Sequence, residues 1–320
     1  MSSRNVLLKV FNVSDWKHDG IFFSHLATSC QILHPEHLNM TELVANTESA
    51  PPSTAIAKTD RIYVTLKGNF VMLSTSIILS ITGEAATESP SSTVRVVLEK
   101  SPFHPQGGGQ PTDKGIIFNQ EKTSSIEILK VEFDFATEIV THIGTVPTSQ
   151  LSHFIVGGTV NCEVDEANRY LLSQCHSAGH LIDSAMARVG QTFPPTKGYH
   201  FLDGPYVEYK GKVDAKDRDA LVEKLRAEFD AIVEEDIPTS ICQMTKNEAE
   251  LECNRIQKNF DFDSFPEPIR IVSIANFKCP CGGTHVKSTK HLKDWTVLKI
   301  KAKKDKVQVR YGLKSELVKI

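Results

Sequence analysis

The chain has 320 residues, a mass of 35.5 kDa and a net charge of -3 at neutral pH, with 40% hydrophobic and 23% charged residues. This composition supplies a sizeable core and excludes a wholly disordered or fibrous chain. The longest apolar-leaning run, 70–81, is too short and too polar for a membrane span, and no secretory signal is visible. Seven cysteines, an odd number in a long chain, favour free or metal-bound thiols and a cytoplasmic location without a membrane partner.

Length favours two domains of ordinary size, preceded by an extension. Residues 1–60 form an N-terminal extension of unknown role, in which the Ser/Thr/Pro-rich stretch 46–55 reads as a mobile connection. Over 61–160 the pattern predicts successive strands, which indicates a small β-barrel or curled sheet. These strands are predicted at 61–66, 69–79, 93–98, 125–133, 138–143 and 158–164, with a turn at 67–68 and a polar loop at 84–92.

Residues 161–320 read as a second, α+β domain. Apolar positions three, four and seven apart predict a helix over 165–189. A second helix is predicted over 214–233 with Asp214 as its N-cap, and a third over 245–254. Strands are predicted at 206–209, 269–274, 295–300 and 307–311.

His176 and His180 lie four residues apart on the first predicted helix, so both imidazoles project from one side. At about 100° per residue they lie opposite the apolar positions, which predicts a polar face and not the core. A pair at this spacing can bind one metal ion, but the spacing alone is a weak signal.

A second pair of ligand types, Cys281 and His285, lies in the segment CPCGGTH at 279–285. Two glycines allow the backbone to bring a thiolate and an imidazole to one centre. With the helix histidines these residues make a zinc set, in which Cys279 is a rival to Cys281 because a CxC segment offers either sulfur. The alternative is a buried free thiol near an exposed histidine.

The third feature is PQGGGQP at 105–111, the glycine-rich loop. Gly107, Gly108 and Gly109 predict a sharp exposed turn whose N–H groups can approach a phosphate or a carbonyl. The alternative is a barrel corner that needs positive φ. The string GGGQP arises by chance in on the order of one in ten thousand such chains. No HExxH, P-loop, GxGxxG or GxSxG motif is present, which disfavours a thermolysin-like protease and a nucleotide-dependent enzyme.

Along the chain the glycine-rich loop comes first, the histidine pair second and the Cys281/His285 pair third. In that order the three features resemble the alanyl-tRNA editing family, which comprises free-standing AlaX-type proteins and the editing domain of alanyl-tRNA synthetase. The matching segments are 103–115, 176–181 and 281–286, and the segment 198–205 is also similar. The resemblance covers residues 70–312, and the first 60 residues have no counterpart.

The resemblance implies a β-barrel-like domain with the glycine-rich loop, joined to an α/β zinc-binding editing domain of the type shared by threonyl- and alanyl-tRNA synthetases. It implies hydrolysis of the ester between a wrong amino acid and the tRNA for alanine, chiefly serine, with glycine as a second substrate. One Zn²⁺ per chain would be held by His176, His180, Cys281 and His285. Cys281 is preferred to Cys279 because it keeps the four-residue spacing to His285.

No catalytic side chain is assigned: a zinc-bound or positioned water is expected, with Gln110 and Gly179 near the site. Four protein ligands would close the coordination shell as in structural sites. Either the coordination expands to five, or one ligand gives way, or zinc only shapes the pocket and positions the substrate. Two positions depart from the family: Gly179 replaces the usual Thr or Ala, and His104 the usual Tyr. Gly179 is expected to enlarge the space beside the metal.

From Lys278 to the C-terminus there are 12 Lys and Arg against 3 Asp and Glu, a net charge of +9, on a body that carries -12. This asymmetry favours a polyanionic partner. The predicted contacts to tRNA are Gly107, Gly108, Gly109, Lys299, Lys301, Lys303 and Lys304. Lysines that block pairing at an edge strand are the alternative interpretation.

The sequence therefore predicts a trans-acting, zinc-dependent aminoacyl-tRNA deacylase that serves translation fidelity. A zinc-stabilised tRNA-binding module without catalysis is the second interpretation, and a metal-dependent hydrolase of small esters or amides is the third. The oligomeric state is not predicted.

Overall fold

The computed structural model describes residues 56–84, 90–254, 262–263 and 265–319. In these ranges it contains fifteen strands and three α-helices. The strands are β1 (Asp60–Arg61), β2 (Leu73–Glu84), β3 (Ser91–Leu98), β4 (Lys100–Ser101), β5 (Gly115–Asn119), β6 (Ser125–Asp134), β7 (Ile139–Pro147), β8 (Thr159–Val164), β9 (Pro195–Tyr199), β10 (Tyr206–Lys210), β11 (Ser240–Met244), β12 (Ile269–Ile274), β13 (Phe277–Pro280), β14 (Trp295–Lys303) and β15 (Lys306–Leu313). The helices are α1 (Glu166–Arg188), α2 (Arg218–Glu234) and α3 (Lys246–Cys253).

Two predicted regions lie wholly or partly outside the described residues. The first is most of the extension 1–60, including the connection at 46–55. The second is positions 85–89 of the loop predicted at 84–92. None of the helices in the described part of the chain has both the length and the apolar character that a membrane crossing requires.

Six antiparallel strands close into a β-barrel in the order β2-β3-β7-β6-β5-β8. Buried and partly exposed residues alternate along β7, as expected for a strand with one face toward a core. Closure leaves none of these six strands as an open edge. The predicted combination of an α+β fold with a β-barrel is confirmed.

The predicted strand at 61–66 is wrong. Only Asp60–Arg61 pairs, in parallel with β4, and Ile62–Val64 forms a 3₁₀ helix. A second 3₁₀ helix, Gly68–Phe70, follows, and the Thr65 hydroxyl accepts a hydrogen bond from the Gly68 N–H at 2.9 Å. Such local side-chain bonds offer the backbone an alternative to a sheet ladder.

The remaining strands form two antiparallel sheets, which the helices cover. The larger sheet has the order β14-β15-β10-β9, and the smaller has the order β11-β12-β13. One face of the larger sheet is apolar and packs with α1 and α2 in a single core. Residues of this core include Ala178, Leu225, Phe229, Val297, Val307, Val309 and Tyr311.

The helix ends differ from prediction in one place. The Asp165 carboxylate caps α1 by accepting from the Asn168 N–H at 3.0 Å, and Thr245 and Glu248 form a capping box on α3. Asp214 was expected to cap the second helix, but it precedes a separate 3₁₀ turn, Ala215–Asp217, and makes no capping bond. The α-helix begins at Arg218 because that turn takes up the first residues.

Helix α1 is buried on its polar side as well as on its apolar side. Its polar residues Arg169, Ser173, His176, His180 and Ser184 are all less than 9% exposed. This side is polar as predicted, but the prediction that it lies outside the core is wrong. That side packs against the barrel and the segment 281–285, so its polar groups are paired with protein groups.

A buried ion pair joins α1 to the barrel. Arg169 and Asp113 are 1% and 0% exposed, and the Arg169 Nε lies 2.9 Å and 2.8 Å from the two Asp113 carboxylate oxygens. The guanidinium also donates to the Pro102 carbonyl at 2.6 Å, and the Asp113 carboxylate accepts from the His104 N–H at 2.6 Å. With its remaining polar groups paired in this way, the ion pair fixes the helix relative to the barrel.

Removing one charge of this pair tests its contribution to stability. We expect Asp113→Asn to lower the free energy of unfolding by about 3–5 kcal/mol, because it leaves the Arg169 guanidinium buried without a counter-charge. The control, Glu132→Gln, breaks an exposed pair with Arg95 and should cost less than about 1 kcal/mol. Equilibrium urea unfolding measures both, and similar losses in the two variants would contradict the assigned role.

Candidate metal centre

Four side chains that are distant in sequence converge where α1 meets the segment after β13. These are His176, His180, Cys281 and His285, called the metal centre below, and one ligand atom from each lies within 4.8 Å of the others. The Cys281 Sγ lies 3.5 Å from Nε2 of His176 and 3.4 Å from Nε2 of His285. Tetrahedral bonds of about 2.0 Å to nitrogen and about 2.3 Å to sulfur place N and S about 3.5 Å apart. The two Cys281 distances therefore match a tetrahedral metal ion, which the four residues could hold.

Each histidine of the metal centre uses its Nδ1 atom for a partner behind it. The pairs are His176 with Oε1 of Gln110 at 2.7 Å, His285 with Oγ of Ser177 at 3.1 Å, and His180 with Sγ of Cys279 at 3.1 Å. These contacts orient the rings and leave the Nε2 atoms for a metal, as partners of metal-binding histidines do. The structure thus places Cys281 within the metal centre and Cys279 behind His180.

Burial keeps the imidazoles neutral. It lowers the pKa of His180 to about 4, and it lowers the pKa values of His176 and His285 well below 6.5, with the neighbouring imidazoles adding to the effect. Neutral rings keep a lone pair for a metal at pH 7. Burial also raises the pKa of the Cys281 thiol, an effect that the Arg270 guanidinium opposes, and a metal ion deprotonates such a thiol when it binds.

The glycine-rich loop reaches from the barrel to the metal centre. Gly107 and Gly108 are exposed, whereas Gln110 is fully buried. The Gln110 Oε1 accepts from the Thr284 N–H at 2.9 Å as well as from His176, and its Nε2 donates to the Thr284 hydroxyl at 2.9 Å. Gly108 and Gly109 have positive φ angles of 56° and 79°. The loop is therefore both a corner that needs glycine and the carrier of a buried partner for His176.

Two further residues hold the 281–285 segment in place. The Asn69 side chain donates to the His285 carbonyl at 2.7 Å and accepts from the His285 N–H at 2.9 Å. Arg270 donates to the carbonyls of Cys281 and Gly283, the latter at 2.9 Å. Neither residue is predicted from the sequence, because neither lies in a motif and their partners are main-chain atoms.

His200 is a fourth imidazole at the metal centre, and it is not among the site residues predicted from the sequence. It is 5% exposed, and its ring stacks on that of His176 with 4.3 Å between centroids. The ring Nδ1 of His200 lies 2.5 Å from the Tyr311 hydroxyl. The main-chain N–H of His200 donates to the Gly109 carbonyl at 2.9 Å. The only signal in the sequence was its place in the family-like segment 198–205.

The expected open space beside Gly179 is not there, because the His200 ring fills it. A Cβ atom on Gly179 would lie 2.7 Å from Nδ1 of His200 and 2.9 Å from the Tyr311 hydroxyl. The expectation that this glycine enlarges the space beside the metal is therefore corrected: the missing side chain accommodates an imidazole.

The predicted RNA-contacting lysines lie apart from the metal centre. Lys299, Lys301 and Lys303 are exposed on β14, and Lys304 is exposed in the turn before β15. The structure does not bring them together with the four metal-binding candidates.

Comparison with known proteins gives matches in both halves of the chain. Residues 269–308 match the threonyl and alanyl tRNA synthetase second additional domain, and residues 43–168 match the class II (A) tRNA synthetases. The alanyl-tRNA editing protein AlaX-L of Pyrococcus horikoshii is 30% identical over 62% of this chain and 46% of its own length. AlaX-M of Methanosarcina acetivorans is 26% identical over 69% of this chain and 89% of its own length.

Alanine–tRNA ligase of Mycoplasma mycoides is 26% identical over 71% of this chain but only 24% of the ligase. The chain thus spans less than half of AlaX-L and about a quarter of that ligase. The resemblance to the alanyl-tRNA editing family that the sequence motifs indicate is confirmed.

A pair of glycine substitutions tests the packing of the metal centre. A Cβ on Gly283 would meet the His176 ring and lie 2.6 Å from Oε1 of Gln110, whereas a Cβ on Gly282 would meet nothing within 4 Å. We expect Gly283→Ala to weaken metal binding at least tenfold and Gly282→Ala to leave it within about twofold. Titration of the apoprotein with Co²⁺ or Zn²⁺ measures this, and equal affinities would contradict the close approach.

The fit between Gly179 and His200 is tested by a double-mutant cycle. Gly179→Ala should destabilise the protein because its Cβ collides with the His200 ring, and in the background of His200→Ala the same change should cost less, because only the Tyr311 hydroxyl remains within 3 Å. We expect a coupling energy of about 1–3 kcal/mol from the unfolding of the four proteins. Additive effects would show that the imidazole does not occupy this space in solution.

Proposed function

We propose that this relative of the alanyl-tRNA editing proteins is a trans-acting hydrolase that removes a wrongly attached amino acid from the tRNA for alanine. Serine is the main proposed amino acid, and glycine is a second one. Zn²⁺ is the proposed metal, with one ion per chain, and the barrel and the metal-binding half act as one editing unit. The observation that carries the proposal is the set of three buried imidazoles and one half-buried thiol, in which Gln110 of the glycine-rich loop supports His176 from behind.

The donor set favours zinc over harder ions. Three imidazole nitrogens and one thiolate are the ligand types that Zn²⁺ prefers, whereas Mg²⁺ and Ca²⁺ prefer oxygen. The four residues would hold the ion with the Nε2 and Sγ atoms. When bound, zinc supplies a Lewis acid that can polarise an ester carbonyl or make a nearby water more acidic.

The surrounding residues supply position and polarity. An aminoacyl ester is already activated, so hydrolysis mainly needs a placed water and dipoles that stabilise the developing oxyanion. Gln110 holds His176 as the tautomer that keeps Nε2 free, and Thr284 holds Gln110. The exposed glycines Gly107 and Gly108 carry no side chain, so an RNA backbone can approach the edge of the metal centre there.

One observation favours a second function, a zinc-stabilised tRNA-binding module without catalysis. Four protein ligands already complete a tetrahedral shell, which is the usual arrangement of structural zinc sites. In that case the metal would only fix the 281–285 segment against α1.

Deacylation assays separate the two functions. We expect rapid release of serine and slow release of alanine, each esterified to the tRNA for alanine, because only the wrong amino acid is the proposed substrate. His180→Ala should abolish serine release by removing a proposed ligand, whereas His153→Ala, at an exposed position on the barrel, should leave it unchanged. Time courses of acid-precipitable radiolabel give the rates.

Zinc content and binding of uncharged tRNA are measured on the same preparations. A protein that holds one zinc and binds tRNA but releases neither amino acid would contradict the deacylase and favour the binding module. Equal release of serine and alanine would contradict the proposed specificity alone.

A further inference from the structure

The four-stranded sheet has an outer face that does not pack against the helices. Residues paired in register across antiparallel strands project from the same face. Three rows of paired residues cross the strands on this face. The first row is Lys299, Arg310, Tyr206 and Tyr199, and the second is Lys301, Gln308, Glu208 and Lys197. The third row is Lys303, Lys306 and Lys210. The opposite face carries Val297, Val307, Val309 and Tyr311, which are buried in the core.

This outer face is strongly basic. Among its registered positions seven are Lys or Arg and one is acidic. The acidic residue, Glu208, is already paired with the Lys306 ammonium at 2.9 Å and with the Gln308 amide at 3.0 Å. The face therefore presents a net positive charge, which suits a polyanion.

Protection of a sheet edge does not account for this charge. Edge protection would explain lysines on β14, which is the outermost strand on one side. Arg310 and Lys306 lie on β15, and Lys210 lies on β10, both of which have neighbours on either side. Basic side chains on interior strands need another reason.

Aromatic rings lie among these cations. The Tyr199 ring stacks with those of Phe201 and Tyr206, at centroid distances of 4.8 Å and 5.4 Å and interplanar angles of 18° and 20°. The Lys197 ammonium and the Arg310 guanidinium lie 5.8 Å and 6.0 Å from the centre of the Tyr206 ring. Rings beside cations are the combination that stacks unpaired bases and contacts phosphates of single-stranded RNA.

The aromatic end of this face borders the metal centre. Tyr199 and Phe201 stack on one side of the chain, and His200 between them points inward onto His176. Lys306, at the other end of the face, lies four residues before Arg310 on β15, a distance of about 13 Å. The tyrosines therefore lie nearer to His200, and through it to the metal centre, than the Lys303–Lys306 end does.

We infer that the outer face of the β14-β15-β10-β9 sheet binds the acceptor end of tRNA, with phosphates along the lysines and Arg310 and the unpaired 3′ nucleotides at Tyr206 and Tyr199. The inference rests on the proposed function for the identity of the RNA. It adds Lys197, Tyr199, Tyr206, Lys306 and Arg310 to the lysines that the sequence indicates. It also orients the substrate, because the 3′ end must lie at the aromatic end.

Binding of uncharged tRNA for alanine, measured by fluorescence anisotropy over a series of salt concentrations, tests the inference. The variant Lys299→Gln/Lys301→Gln should bind at least tenfold more weakly, with a salt slope lower by about 0.7–0.9 for each lost phosphate contact. The matched control is Lys216→Gln/Lys224→Gln, which removes the same charge from two exposed positions, one in the turn before α2 and one on α2. This control should bind like the wild type. Equal affinities and slopes for the two double variants would overturn the inference.

A second variant tests the stacking and the direction. Tyr206→Leu should weaken binding of full-length tRNA severalfold but should not change binding of a tRNA that lacks its unpaired 3′ nucleotides. Equal losses for both RNAs would overturn the assigned direction, and circular dichroism shows whether the variant is folded.

These tests do not depend on hydrolysis. Loss of tRNA binding in the face variants of a protein that releases no amino acid would contradict only the deacylase. Unchanged binding in the face variants of an active deacylase would contradict only the RNA-binding face.

Discussion

The metal centre depends on the buried ion pair between Asp113 and Arg169. Arg169 lies seven residues, about two turns, before His176 on α1, so whatever fixes the guanidinium also fixes the height and rotation of the helix histidines. A buried pair of this kind contributes little to net stability compared with an apolar pair, but breaking it is costly, so it permits only one arrangement of the two halves. The same Asp113 carboxylate holds the main chain at His104, immediately before the glycine-rich loop. One ion pair therefore sets the position of the helix and of the loop that supports it.

The centre is composite as a result. Its four candidate ligands come from α1 and the 281–285 segment, but the groups that orient them include Gln110 from the barrel side and Asn69 from before the barrel. Without the barrel side the Nδ1 atom of His176 would lose its partner, whereas the Nδ1 atoms of His180 and His285 are engaged from within the metal-binding half. The requirement for close approach also explains the glycines, since Gly283 lets the segment lie against His176 and Gly179 leaves room for His200. Chemistry and packing are thus set by the same contacts.

The sequence predicted the main elements because their patterns are strong and local. The α1 helix and the long barrel strands were found within a few residues of their observed limits. Short strands such as β9 were missed, because PTKGY has neither the alternation nor the β-branched content that indicates a strand. The failure at 61–66 has a different cause, since local hydrogen bonds favour 3₁₀ helices there. The role of Asn69 was missed for a third reason, because its main-chain partner lies more than two hundred residues away. Contacts of that range leave no trace in a local pattern.

The same limit explains why the polar side of α1 was predicted to lie outside the core. Periodicity separates apolar from polar positions, but it does not say whether the polar side meets water or protein. Here it meets the barrel and the 281–285 segment, which leaves few ways into the metal centre. Gln110 and Asn69 cover it from the barrel, and the helix core covers it from behind. The exposed glycines of the loop lie next to His200, whose main-chain N–H donates to the Gly109 carbonyl. Under the proposed function, a flexible RNA end would approach on this side, because its phosphates could stay on the basic sheet face while only the last nucleotide, with its ester, entered.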